Sequence, residues 1–415
     1  MMYDVIVIGG GPAGMMAAGR AAARRASLSG RTARVLLLEK NPGLGKKLLI
    51  TGGGRCNLTN NKTEVRTMLS KYKGNDQFLF SAFAQFSVKD ALAFFNGRGL
   101  ATKEENEGRI FPVSDSAKSV FDVLVKYMRE GNVEVKTEVE VLGISQEKDH
   151  IVVATTGGGL RAAAVILATG GISRPETGST GEGFKWLKKL GHTIIDNDFA
   201  LVPVALSDAW VKKLAGVSLK DIKLTTFQNN QKQATGKGSI MFAHFGITGP
   251  LALNQSREIG ELLKYGKVEA QIDLFPAKDL GAVRKELQEL LSGEPNKKIK
   301  NVLSKLVPGA LALALLEIST INGETKNNMV SAADRKTLAQ VMKAIPLNVS
   351  HLLGADKAVV SSGGVALEEV NFKTMQSRKI PNLYLVGDVL NIDRPSGGYS
   401  LQLCWTTGFV AGNNI

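Results

Sequence analysis

Residues Tyr3 to Gly14, YDVIVIGGGPAG, decide the fold. Tyr3 to Ile8 is a short β-rich apolar run, the pattern of a buried strand. Alanine-rich Ala13 to Ala26 predicts a helix and Val35 to Leu38 a second buried strand, so the chain opens with a βαβ unit. Gly9-x-Gly11-x-x-Gly14 stands at the strand-to-helix junction, with Pro12 and Ala13 filling the turn. There the missing side chains permit a tight turn, close approach of a pyrophosphate to the helix N-terminus, and close helix-strand packing. Glu39 ends the second strand, where a carboxylate can accept hydrogen bonds from the ribose of an adenine dinucleotide. The same acid disfavours a 2′-phosphate, and hence NADP at this site. Glu39 lies 25 residues beyond Gly14 instead of about 20, and the excess falls in Ala23 to Thr32, ARRASLSGRT.

Two later turns follow apolar strands. Val165-Ile-Leu-Ala-Thr-Gly-Gly171 and Leu383-Tyr-Leu-Val-Gly-Asp388 come in the order found in two-dinucleotide-fold flavoproteins, where the aspartate of the last turn contacts the ribityl chain. A plain dehydrogenase has no need of them, so FAD is favoured over NAD. Between the motifs the pattern predicts helices at Val88 to Arg98 and Ala117 to Glu130, strands at Val133 to Val141 and Ile151 to Thr155, and a buried strand at Ala164 to Ala168. From Ile194 to Asp356 the texture changes to alternating strands such as Ile222 to Phe227, then helices at Ala282 to Leu291 and Ala332 to Lys343, as in an insertion. Lysine-rich Asn296 to Lys305 reads as the solvated face of a helix.

At 415 residues several domains, or one with a large insertion, are expected. No apolar run reaches the roughly 18 to 20 residues of a membrane span, and no basic segment precedes the first strand as in a signal peptide. Cys56 and Cys404 are the only cysteines, which argues against a disulfide framework and for a cytoplasmic setting. With four scattered histidines they make no metal site. The net charge is +14, and Arg20 to Asn60 carries nine Lys or Arg against Glu39. Such a run faces solvent and a cofactor pyrophosphate, or it engages a polyanion such as structured RNA.

Thr51 to Asn57, TGGGRCN, holds three glycines, Arg55 and Cys56. Positive charge and backbone N–H groups can depress a thiol pKa; without a CxxC partner a redox dithiol is excluded, and Cys56 is expected to pack near the flavin. Arg55 and Asn57 are candidates for FAD phosphate or ring contacts, or else for bracing the loop. His244, in AHFGITGP, is the histidine in a motif-like context: a proton donor near the flavin, or a brace between insert and cofactor domain. Tyr399 is a comparable candidate.

Joined to GKKLLITGGGRCNLTN (Gly45 to Asn60), GRIFPVSDSAKSV (Gly108 to Val120), GGISRPETGSTGEGF (Gly170 to Phe184), MFAHFGITGP (Met241 to Pro250) and GDVLNIDRPSGGYSLQLCWTTG (Gly387 to Gly408), these motifs resemble the YhiN/BaiN-like flavoprotein family over nearly the whole chain. The resemblance implies an α/β fold: a glutathione-reductase-like, FAD-binding Rossmann domain (1–194 plus 356–415) interrupted by a β-rich subdomain (195–260 plus 344–355) and a helical one (261–343). No separate NAD(P)H domain is implied. The activities assigned in that family are NAD(P)H-dependent reduction of a C=C bond, dihydrouridine formation in ribosomal RNA, and oxidation of a small amine such as aminoacetone. Of these, NAD(P)H-driven C=C reduction is the favoured reading, with a uracil ring in structured RNA as the most attractive substrate. An amine oxidase, and an RNA-binding protein keeping FAD structurally, are the alternatives.

The implied FAD contacts are Gly9, Gly11, Pro12, Ala13, Gly14, Glu39, Lys40, Lys46, Thr51, Gly52, Gly53, Gly54, Arg55, Cys56, Asn57, Thr169, Gly170, Gly387, Asp388, Gly397, Gly398 and Tyr399, with the insert covering the isoalloxazine. His244, Tyr399 and Arg394 are the catalytic candidates. Arg394 departs from the family pattern, which has glycine there, and is a candidate for an acidic or phosphate-bearing substrate, a flavin phosphate, or the surface.

Overall fold

The computed structural model describes residues 2–29, 33–72, 74–354, 356–358 and 360–415. Arg31 and the end of the ARRASLSGRT stretch, and residue 355 at the edge of the expected β-rich subdomain, lie outside them. The chain divides into two compact units, one formed by Met1–Phe199 with Val359–Ile415, the other by Ala200–Ala358.

In the first unit the strand Met2–Ile8 lies between Val35–Leu38 and Gly158–Leu167, parallel to both. Glu134–Lys136 extends the sheet in parallel beyond Val35–Leu38, and His150–Thr155 and Val141–Glu147 extend it antiparallel on the other side. Leu383–Leu385 pairs in parallel with the end of Gly158–Leu167. All four residues of Val35–Leu38 are buried, as expected for a parallel sheet covered on both faces. The first helix, Pro12–Ser29, carries Ala17, Ala18, Ala21 and Ala22 into the core. Its Arg20 Nε donates to Asn413 of the C-terminal helix Tyr399–Asn413 at 3.0 Å and lies over the Phe409 ring. The stretch Asp76–Asn96 has the length and apolarity of a membrane span, but it is two helices. Asp76–Gln85 ends at extended Phe86, and Ser87 with Asp90 forms a capping box that starts Val88–Asn96. Leu79, Phe83, Phe94 and Phe95 go into the core.

The expected strand Val133 to Val141 is broken: Glu134–Lys136 ends before Glu138, whose φ is +58°, and Val141 begins a different strand. The lysine-rich Asn296 to Lys305 is helical only over Ile299–Leu303. An antiparallel three-stranded sheet (Thr59–Asn60, Arg109–Pro112, Thr102–Glu105) completes this unit.

The second unit is a closed antiparallel barrel. Its strands run, in spatial order, Val204–Leu206, Gly246–Thr248, Gln231–Ala243, Ser218–Gln228, Val268–Asp273 and Ile345–Leu352, the last closing on the first. Leu224, Phe242, Ile247, Ile272 and Leu347 share its core with the helices Leu280–Ser292, Gly309–Ile318 and Ala332–Lys343. Val268–Asp273 belongs to the barrel and not to the helical subdomain expected over 261–343: its alternating burial, with Val268, Ala270 and Ile272 inward, is that of a strand. Lys343 ties the last helix to the barrel, donating to buried Asp273 at 2.8 Å and to the Phe275 carbonyl at 2.8 Å.

Candidate cofactor cleft

Parallel registry brings the sequence motifs together. Ile8 and Leu385 both pair with Leu167. Beyond them Gly9 N donates to Leu38 O at 2.8 Å, Ala168 N to Ile8 O at 2.9 Å, and Val386 N to Leu167 O at 3.2 Å. The turns after three strands, together with Glu39, therefore meet at the carboxyl edge of the sheet, the position at which open α/β sheets bind ligands. They line a cleft enclosing about 1280 Å³ of empty space, its open mouth included.

Gly9, Gly11, Pro12, Ala13, Glu39, Lys40, Lys46, Thr51, Thr169, Gly170, Gly387 and Asp388 all line this cleft. Gly14 does not, because its role is packing: a Cβ there would stand 1.9 Å from Gly9 O. At Gly11 a Cβ would meet nothing within 4 Å, so the glycine keeps open a space at the helix start suited to an anion. The Glu39 carboxylate accepts from Gly10 N at 2.8 Å and from Asn41 N and Nδ2 at 2.9 and 2.7 Å. Three donors leave part of its roughly four acceptor sites for ribose hydroxyls. Thr169 Oγ1 is buried with no protein partner. These observations fit a dinucleotide cofactor.

Lys40 donates to Thr180 Oγ1 and Glu182, both at 2.8 Å, and Lys46 to the Glu176 carbonyl at 3.2 Å. Lys47, absent from the expected contacts, is half-buried at the cleft wall and donates to Ser173 O at 2.7 Å. Burial pushes its amine below the ordinary value, opposed by Asp388. A sequence signal existed: in Gly-Lys-Lys-Leu-Leu the second lysine leads directly into apolar residues.

Of TGGGRCN only Thr51 reaches the cleft. Gly52 and Gly53 are exposed, and Gly54 is half-buried away from the lining. Arg55 is committed elsewhere. It pairs with Glu105 and with Asp115, Nε to Oδ1 at 2.9 Å, over the Phe111 ring. Cys56 is buried with φ +61°, and burial pushes its thiol up to about 12, eased by a hydrogen bond with Thr51. The Asn57 amide donates to Thr59 O at 3.1 Å and accepts from Gly398 N at 3.0 Å. The loop thus clasps the 397–398 turn, the bracing alternative.

Arg394 is not on the surface. It is 4% exposed and ion-paired with Asp388, and it donates to Ile392 O at 2.8 Å and Ser400 Oγ at 3.0 Å. Gly397 accepts from Asn60 Nδ2 at 3.1 Å. Gly398, φ +97°, starts the helix Tyr399–Asn413 with no side-chain cap, leaving first-turn N–H groups available. Ser400, Leu401 and Cys404 of this helix line the cleft and were missed; a helix buried almost all round, polar residues included, gives no periodic signal. Tyr399 is buried outside the lining, its hydroxyl pushed up to about 12 by burial and then by Glu107. His244 is exposed in the second unit, between the strands Gln231–Ala243 and Gly246–Thr248.

The basic run from Arg20 to Asn60 is divided among these settings. Arg20 meets Asn413, Arg34 lies over Tyr3, Lys40 meets Glu182, Lys47 donates to Ser173 at the cleft wall, and Arg55 holds two carboxylates.

The family described as HI0933-like protein Rossmann domain matches residues 3–414. The chain belongs to this HI0933-like family. Its relatives include a 3-dehydro-bile acid delta(4,6)-reductase of Clostridium scindens, 34% identical over 99% of this chain and 98% of that one. A ribosomal RNA dihydrouridine synthase of Escherichia coli is 29% identical, covering 100% of this chain and 98% of that one. Among solved structures, the 3-ketosteroid delta1-dehydrogenase of Sterolibacterium denitrificans superposes with a TM-score of 0.54 at 14% identity, covering 99% of each chain. That likeness shows a shared fold. The HI0933-like chain is accordingly an FAD-dependent oxidoreductase of Rossmann type.

Proposed function

We propose that this chain reduces a C=C bond conjugated to a carbonyl, with NAD(P)H as the transient electron donor. Both named relatives act on such a bond by the sense of their names, an enone-type steroid acid in one and a uracil ring in the other. FAD, when bound, supplies hydride transfer. The chain's part is to hold and polarise. The first helix offers N–H groups for the pyrophosphate, Glu39 acceptor sites for the ribose, and the uncapped start of Tyr399–Asn413 positive potential at the far end of the cleft. The observation that carries the reading is that Ser400 and Leu401, in the uncapped first turn of Tyr399–Asn413, line that end of the cleft, where their N–H groups can stabilise negative charge developing on a conjugated ring.

RNA is the second reading, favoured by charge: residues 200–358 alone hold 21 Lys and Arg against 14 Asp and Glu. The test uses the yellow holoprotein without oxygen. NADPH or NADH should bleach the flavin band, and a 3-keto-4-ene bile acid or a ribosomal RNA transcript should restore it. Bleaching by aminoacetone alone would overturn the reductase reading in favour of an amine oxidase. Salt-sensitive RNA binding with no turnover would leave the protein an RNA binder. Recovery by the steroid acid and not by RNA would remove the second reading.

A further inference from the structure

The buried arginine at the end of the cleft has no substrate to meet, because every contact it makes is inside the protein. Its guanidinium holds Asp388 through Oδ1, the Ile392 carbonyl at 2.8 Å and Ser400 Oγ at 3.0 Å. Asp388 stands in the cleft wall, its side chain 16% exposed, and among the described residues no other protein donor reaches its carboxylate. One oxygen is anchored by Arg394, and the residue itself lines the cleft. The anchor also reaches Ser400, in the uncapped first turn of Tyr399–Asn413, so one side chain fixes a carboxylate and a helix start relative to each other.

We propose that Arg394 is a positioning residue, which locks Asp388 with its second oxygen turned to the cofactor's hydroxyls and joins it to the helix start lining the same wall. An unanchored carboxylate would have to be ordered, and its charge compensated, at each binding event; a bidentate-capable planar donor does both beforehand. Arg394 therefore acts on cofactor retention through Asp388 and makes no substrate contact. The flexible, point-like ammonium of a lysine cannot reproduce the three-way hold.

The inference rests on FAD occupying this cleft. The experiment measures the FAD release rate and dissociation constant, and the flavin midpoint potential, for the purified wild type, Arg394→Gly, Asp388→Asn and the double variant. Arg394→Gly should weaken FAD roughly thirtyfold or more. Asp388→Asn should do the same, and the double variant should be no worse than the poorer single, because one interaction has been removed twice. The potential should shift in Arg394→Gly, which a purely structural arginine would not cause. Arg394→Lys should recover only part of the loss. Should Arg394→Gly not fold, the cycle is run with Arg394→Lys, which preserves charge and most of the volume. Unchanged retention and potential, or losses that multiply, would overturn the inference. A wild type purified without flavin and unable to take it up would instead sink the FAD reading on which it rests.

Discussion

Two loops carry the same ingredients and use them oppositely. Thr51 to Asn57 and Asp388 to Gly398 are both glycine-rich, both hold an arginine, and each has a cysteine in or near it. Arg55 sits 36% exposed between two carboxylates on the outside of its loop, whereas the Arg394 side chain is 1% exposed against one carboxylate inside. The first pair is screened by water and contributes little. The second is largely shielded, so breaking it leaves a charge with little solvent to replace its partner. The lesson is that charge beside glycine does not locate a cofactor wall; burial beside a strand end does.

The largest effect should come from Arg394→Met. It leaves Asp388 uncompensated and should cost about 3–5 kcal/mol of stability, read as a fall in the denaturation midpoint. Adding Asp388→Leu should restore much of that loss, since replacing both charges removes the unpaired ion. A double variant as unstable as the single would break the comparison. Next comes Gly398→Ala. A Cβ there would lie 2.4 Å from the Thr59 backbone at φ +97°, so about 3 kcal/mol or more should be lost. In Gly53→Ala the new methyl meets nothing within 4 Å. Only the conformational strain remains, and the Gly53 variant should unfold closer to wild type.

The two thiols sharpen the contrast less, because both loops bury theirs. Cys56 and Cys404 are pushed up to about 12 by burial, from 9.0. The folded chain keeps these protons while the unfolded chain releases them, so their stabilising contribution is complete below 9.0 and lost as the pH rises toward 12. Just below pH 9.0, iodoacetamide should leave both thiols intact until denaturant is added, with adducts counted by mass spectrometry. Native alkylation at the unfolded rate would contradict the burial.

What the sequence disclosed follows from how local each signal was. The strand Val35–Leu38 and the helix Ala332–Lys343 were legible to the residue, because apolar runs and caps lie within the segments themselves. Gly9, Gly11, Glu39, Thr169 and Asp388 were legible as one site because each ends a strand, and parallel pairing must gather strand ends. Ser400 and Cys404 were not: on a helix buried almost all round they reach the cleft only through tertiary packing, and Lys47 was marked only by the apolar residues that follow it. Arg394 was noticed for the wrong reason, as a free cation, since its partner Asp388 lies six residues away across a turn whose path no pattern specifies.

The smallest effect is expected from Arg55→Ala, and it tests the comparison most directly. Hydrogen bonds from Arg55 hold Glu105 below the usual carboxylate range, and Asp115 is lowered by Lys103 first and Arg55 second. Lys103 remains in the variant, with Nζ 3.8 Å from Glu105 and 2.5 Å from Asp115, so neither acid is stranded. All these groups keep solvent access, so water replaces what the guanidinium supplied. Arg55→Ala should therefore leave the denaturation midpoint and the FAD release rate nearly unmoved. Thr51→Ala, by contrast, removes a group on the cleft wall whose Oγ1 donates to Leu48 O at 2.7 Å, and should release FAD faster. Faster release in Arg55→Ala than in Thr51→Ala would show that the exposed arginine serves the cofactor after all, and the distinction between the two loops would fall.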